Sequence, residues 1–233
     1  MVMMRVRAVA EVVLLRLDVE RLGPRLATFA RAVSDQNAPL GVCWGFIDGT
    51  ARPICRPTRN QRLYYSGHKR YHALKFQCVL TPDGMIAQLY GPVEGRRHDM
   101  FLVRDSGISA ILAAPPFDQY VIYGDPGYVT EAGIVSPFKG ADLTADQQAF
   151  NAAMSSERVP VEWAFGRIVA LFGALDMVHN VLRVQSSPVA AYYLFAGIFS
   201  NFRTIMDRGN EISDKFRVQP PSLEEYLRCT YTP

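Results

Sequence analysis

No run of apolar residues in this chain is long enough to cross a bilayer; the longest near the C-terminus, Val189 to Phe199, falls well short of a span. Residues 1–15 place Arg5 and Arg7 before apolar residues, as a signal peptide would. Arg16, Asp18, Glu20 and Arg21 follow at once without a small-residue cleavage site, so a helix is the better reading. The cysteines are few. Cys43, Cys55, Cys78 and Cys229 form no CxxC pair, and their spacing matches no zinc signature. They read as reduced, mostly buried thiols of a soluble intracellular protein. Histidine is scarce, with four residues and no HxxxH ligand pair. Charge excess is small: +3 over the chain, so the whole is not a polycation. Internal repeats, low-complexity tracts and heptads are absent.

What is present suits one domain. Apolar residues make up 49% of 233, enough for a sizeable core, and charged residues make up 20%, too few for a disordered chain. Residues 8–33 carry helical spacing interrupted by Gly23-Pro24, which predicts two helices. Residues 41–47 read as a strand ending in the turn signal Asp48-Gly49. Residues 72–80 and 85–90, joined through Pro82-Asp83-Gly84, read as a hairpin. A helix follows Asp99, loosened by Gly107 and stopped by Pro115-Pro116. Tyr120 to Tyr123 is a short buried strand ending at Gly124-Asp125-Pro126-Gly127. Thr144 opens one helix, Pro160 opens a second that runs to Gly173, and residues 188–206 form a third. The fold class is α/β, a mixed sheet flanked by helices. The chain divides into a helical segment at 1–40, the main domain at 41–208, and a polar tail at 209–233 that looks loosely packed.

Three acidic residues hold informative positions. Asp48 and Asp125 are read at the C-terminal ends of strands, where sites form in open α/β sheets. Glu162 is read in the first turn of an otherwise apolar helix. Taken singly, the aspartates are common turn residues, and Glu162 suits a helix N-terminus. Together, three converging carboxylates repel one another unless a cation joins them. Mg²⁺, or Mn²⁺, prefers oxygen ligands, and two such ions about 3.5–4 Å apart serve phosphodiester cleavage.

The stretch 49–75 has no acidic residue, yet it carries Arg52, Arg56, Arg59, Arg62, Lys69, Arg70 and Lys75. Tyr64, Tyr65, His68, Tyr71 and His72 are interleaved. Such side chains neutralise phosphates and stack on sugars or bases, which fits a DNA backbone lying beside Asp48. A solvated basic loop is the plainer alternative.

The segments Gly45-Phe46-Ile47-Asp48-Gly49-Thr50, Gly95-Arg96-Arg97-His98-Asp99, Gly124-Asp125-Pro126-Gly127-Tyr128 and Arg158-Val159-Pro160-Val161-Glu162-Trp163-Ala164-Phe165-Gly166 occur in this order. In them the chain resembles the DDE superfamily nuclease domain of PIF/Harbinger-type transposases, over residues 45–166 with flanking likeness to about 205. The resemblance implies an RNase H-like fold, divalent metal, and an acidic triad of Asp48, Asp125 and Glu162 that cleaves and joins DNA. It also implies nuclear residence if the source is eukaryotic. His98-Asp99 matches a pair common in the family; Asp99 reads first as an N-cap and second as a further metal ligand. Only about 40 residues precede the first strand, where such transposases usually carry a helix-turn-helix domain, so a separate DNA-recognition protein is one expected partner. Transposases often act as assemblies, and the sequence leaves an oligomer open. The main alternatives are a domesticated relative that binds DNA or protein without cutting, and a nuclease or phosphatase of another RNase H-like lineage.

Overall fold

In a computed structural model of the chain, residues 14–176 and 188–228 are described. Residues 8–13 of the predicted N-terminal helical segment, and Cys229, lie outside them. The remainder of that segment forms α1 (Val19–Leu22) and α2 (Leu26–Ser34), with a single 3₁₀ turn at Gly23–Arg25 between them. The buried face of α2, Leu26, Phe29, Ala30 and Val33, packs on the first strand.

Six strands follow: β1 (Cys43–Pro53), β2 (Tyr65–Ser66), β3 (Tyr71–Leu80), β4 (Ile86–Glu94), β5 (Val121–Gly124) and β6 (Ile134–Val135). A short helix, α3 (Gln61–Tyr64), precedes β2. The sheet runs β4-β3-β1-β5-β6, and β2 pairs the first residues of β3. β3 is antiparallel to both β1 and β4, whereas β1–β5 and β5–β6 are parallel. This mixed sheet flanked by helices is consistent with an RNase H-like fold. The first half of β1 is buried throughout, as a central strand covered on both faces requires.

β1 is longer than the sequence indicates. Asp48-Gly49 is not a turn: the strand continues to Pro53, and Asp48 pairs with Cys78 of β3. What ends near Asp48 is the parallel pairing with β5, whose last register pair is Ile47 with Gly124. The helix after His98 splits at Gly107, which takes a left-handed φ of 67°, into α4 (Asp99–Ser106) and α5 (Ile108–Leu112).

The two helices expected around Pro160 are one. α6 spans Ala145–Leu171, opened by a capping box in which Thr144 and Gln147 exchange hydrogen bonds. Pro160 lies inside it, buried, and Glu162 is in mid-helix rather than in a first turn. Proline cannot supply the N–H that the carbonyl four residues back expects. That carbonyl, Ser156 O, instead accepts from Lys215 Nζ at 3.3 Å. Lys215 also pairs with the buried Glu157 at 2.9 Å.

Lys215 belongs to the C-terminal segment, which is not loose. After α7 (Val189–Met206) come α8 (Glu211–Phe216) and α9 (Leu223–Leu227). Ile212, Phe216, Val218 and Tyr226 are buried, and Phe216 stacks on Phe46 of β1. Arg25 ties this end to the sheet, donating to the buried Asp83 carboxylate and to the Gln219 carbonyl. Cys43 and Cys78 are buried thiols. Among the described residues, no helix is long and apolar enough to cross a membrane.

Candidate active site

The parallel register places two aspartates side by side. Asp48 follows Ile47, Asp125 follows Gly124, and Ile47 and Gly124 are register partners. Both carboxylates therefore emerge at the same level of adjacent strands. Asp48 is nearly buried, with 14% of its side chain exposed. Its Oδ1 accepts from its neighbour Gly49 N at 2.8 Å. Asp125 Oδ1 accepts from Gly127 N at 2.8 Å, a tight turn that fixes the carboxylate. Burial, reinforced by the Asp125 charge, pushes Asp48 from its ordinary 3.8 up to about 6, although Arg158 and the Gly49 N–H pull the other way.

Glu162 stands farther out. Its side chain is 59% exposed, and it meets the site through Arg158. The Arg158 guanidinium gives one nitrogen to Asp48 Oδ2 at 2.7 Å and another to Glu162 Oε1 at 3.2 Å. Arg158 is not among the residues the sequence singles out, although its spacing of one helical turn from Glu162 is readable there.

Asp99 corrects an expectation. The N-cap of α4 is His98, Asp99 is the first helical residue, and no side-chain cap bond forms. The Asp99 carboxylate instead takes Lys75 Nζ at 2.7 Å. It lies against Gly49 and Gly127: a Cβ on Gly49 would collide with Asp99 Oδ1, and one on Gly127 would stand 3.0 Å from Asp99 Oδ2 and 2.9 Å from Asp125 Oδ1. Glycine at both positions is what admits this third aspartate. Beside it, the Tyr128 hydroxyl is buried and has no hydrogen-bond partner. Burial, then the charges of Asp99, Asp48 and Asp125, push its pKa far up.

The donor set partly fits a divalent cation. Asp48 and Asp125 offer adjacent, mutually repelling, hard oxygen donors, the chemistry Mg²⁺ or Mn²⁺ selects. The full triad is not assembled, because Arg158 stands between Asp48 and Glu162. Among the described residues no three acidic, histidine or cysteine side chains are gathered as a ready cage.

The basic segment divides in two. Arg56, Arg59, Arg62, Lys69 and Arg70 are exposed. Arg52 is half-buried, donating to Tyr193 Oη at 3.1 Å with its guanidinium over the Tyr193 and Phe165 rings. Lys75 is committed to Asp99 and to the Arg97 carbonyl. Exposed Arg96 joins the outer group, because its backbone N–H donates to Leu63 O of α3 at 3.2 Å. The sequence reading did not count Arg96, which lies outside the contiguous basic stretch.

A profile described as DDE superfamily endonuclease matches residues 47–201, a span that holds Asp48, Asp99, Asp125 and Glu162. The chain belongs to that family. A probable transposase for insertion sequence element IS702 from Microchaete diplosiphon is similar to this DDE domain, 30% identical over 160 residues. The alignment covers 63% of this chain and 55% of the relative, so the chain spans about half the length of that curated relative. No solved structure matches the chain.

Proposed function

We propose that this DDE domain is a divalent-metal-dependent DNA nuclease of the transposase type, with Asp48, Asp125 and Glu162 as its acidic residues. The observation that carries the reading is the placement of Asp48 and Asp125 one residue beyond the last β1–β5 register pair, Ile47 with Gly124, inside the span matched by the family. The motif order supports the PIF/Harbinger type within that family. Asp48 and Asp125 would hold the cation, Glu162 would complete the set, and Asp99, held by Lys75, would border it. When bound, Mg²⁺ or Mn²⁺ supplies Lewis acidity toward a phosphodiester and offsets the carboxylate charge.

The residues of the chain do the rest. The buried wall around Asp48 keeps water from screening its charge, so a cation is held more firmly there than at an exposed carboxylate. The exposed arginines hold the DNA backbone at a distance. Asp48 to Pro53 is extended strand, so the exposed basic residues, from Arg56 onward, begin beyond a strand stretch of about 16 Å, at about 3.3 Å per residue. Phosphates bound there lie several nucleotides from the scissile one. Arg56, Arg59, Arg62, Lys69, Arg70 and Arg96 are therefore anchoring residues, and Arg52 and Lys75 serve the interior.

A second reading has its own support. Glu162 is turned to solvent and tied to Arg158, as a domesticated relative that binds without cutting would tolerate. The test is cleavage of duplex DNA by the full chain with Mn²⁺ or Mg²⁺, beside Asp125→Asn. Metal-dependent nicking that vanishes in the variant supports the nuclease. Salt-sensitive DNA binding with no nicking in either protein establishes the non-cutting reading.

A further inference from the structure

Arg158, on helix α6, is hydrogen-bonded to two of the proposed acidic residues, Asp48 of β1 and Glu162 one turn along its own helix. Its two guanidinium nitrogens reach Asp48 and Glu162, and only 16% of the side chain is exposed. Arginine does not lose its proton in a protein, so this is a permanent positive charge. Around it Asp48 and Asp125 stand together, with one oxygen of each already accepting a backbone N–H. Lys75, the neighbouring cation, is spent on Asp99. Arg158 thus sits on the Asp48 oxygen that a divalent ion would take. A divalent ion needs oxygens at about 2.0–2.1 Å, closer than any hydrogen bond, so it and the guanidinium compete for Asp48.

We infer that Arg158 is a positioning residue, an internal counter-ion that aligns Asp48 with Glu162 before a divalent cation binds and then surrenders Asp48 to it. The inference rests on the reading of Asp48 and Asp125 as the cation-holding pair. It makes a specific demand. Removing Arg158 takes away both a competitor and a like charge, so the cation binds more tightly. Damage to the fold would do the reverse.

The experiment is calorimetric titration of the full chain with Mn²⁺ for wild type, Arg158→Gln, Arg158→Lys, Asp48→Asn and the Arg158→Gln/Asp48→Asn double variant, each checked for folding by circular dichroism. Arg158→Gln is expected to bind Mn²⁺ at least about tenfold more tightly than wild type. Arg158→Lys, which keeps the charge, should stay within about threefold, and the gain should disappear in the double variant. Equal or weaker binding by folded Arg158→Gln, with Asp48-dependent binding intact in wild type, overturns the counter-ion role and leaves the site reading standing. Absence of Asp48-dependent binding in both proteins overturns both. Should Arg158→Gln fail to fold, the side-chain Nε–H resonance of Arg158 in wild type, assigned by its loss in Arg158→Lys, decides the matter. It should move toward the position of a solvated guanidinium on addition of Mg²⁺, and an unmoved resonance overturns the role.

Discussion

Replacing Asp48 by Asn should make the domain more stable while abolishing cleavage. The carboxylate is held in a place that disfavours its charge: burial first, and Asp125 beside it, raise its pKa from 3.8 to about 6 despite the Arg158 hydrogen bond. At about 1.4 kcal/mol per pH unit, that gap corresponds to about 3 kcal/mol of destabilisation of the ionised form. Only 14% of the Asp48 side chain is exposed, so solvent screening removes little of it. Because the folded-state pKa lies above the unfolded one, the native protein binds the extra proton between them. Stability therefore falls as pH rises from about 4 to about 6 and levels off above that. Asn mimics the protonated acid at every pH. Its advantage should be near zero at pH about 4, grow through the window, and reach about 2–3 kcal/mol at pH 8, or about 5–10 °C in Tm for a chain of this size. Urea unfolding in EDTA at pH 4, 5, 6 and 8 measures it. A variant less stable than wild type at pH 8 would show that Asp48 anchors the fold through Arg158 instead of sitting under strain.

Two other changes separate activity from stability. Glu162→Gln should eliminate cleavage yet shift unfolding by no more than about 0.5 kcal/mol, because the side chain is largely exposed; a large loss of stability would make it a structural residue. Replacing Arg59, Arg62 and Arg96 together by Ala should weaken DNA binding without sequence preference and reduce the slope of log affinity against log salt by about one per residue; a salt slope unchanged in fluorescence anisotropy would remove those arginines from the interface.

Much of the site was legible because strand ends can be read from short apolar runs. Gly41–Ile47 and Tyr120–Tyr123 announce two buried strands, and an aspartate follows each. The aspartates were readable as neighbours only in the sense that their strands were; which strands pair is a tertiary fact. The strand through Asp48 looked finished at Asp48-Gly49 because Gly serves turns so often. Here Gly49 is small so that Asp99 can approach. The contact of Asp99 was hidden because the N-cap preference is a local rule, whereas Asp99 sits one residue inside the helix and its partner Lys75 comes from β3. The tail was misjudged on average polarity. Four of its apolar residues, Ile212, Phe216, Val218 and Tyr226, are buried against the rest of the domain, although Leu223 and Leu227 stay exposed.

The hardest feature to read was helix α6 continuing through Pro160, and the site depends on it. Arg158 and Glu162 lie on either side of that proline. They share a face only if the helix keeps its turn between them, so a break at Pro160 would aim the two side chains separately. The carbonyl that Pro160 orphans, Ser156 O, is covered by Lys215 from a helix that follows in the chain by more than fifty residues. No local pattern could announce that bond. Lys215→Met should therefore act on the carboxylate site from a distance. It strands the buried Glu157, at a cost of about 2–4 kcal/mol, and leaves the exposed Ser156 O to water. Adding Glu157→Gln removes the stranded charge and leaves only the uncovered carbonyl. In that double variant the amides of residues 161–166 should exchange hydrogen faster than in wild type, while global stability recovers most of the loss. Unchanged protection of those amides would mean that packing of Val161, Ala164 and Phe165 alone carries the helix past the proline, and that the C-terminal segment has no hold on Arg158.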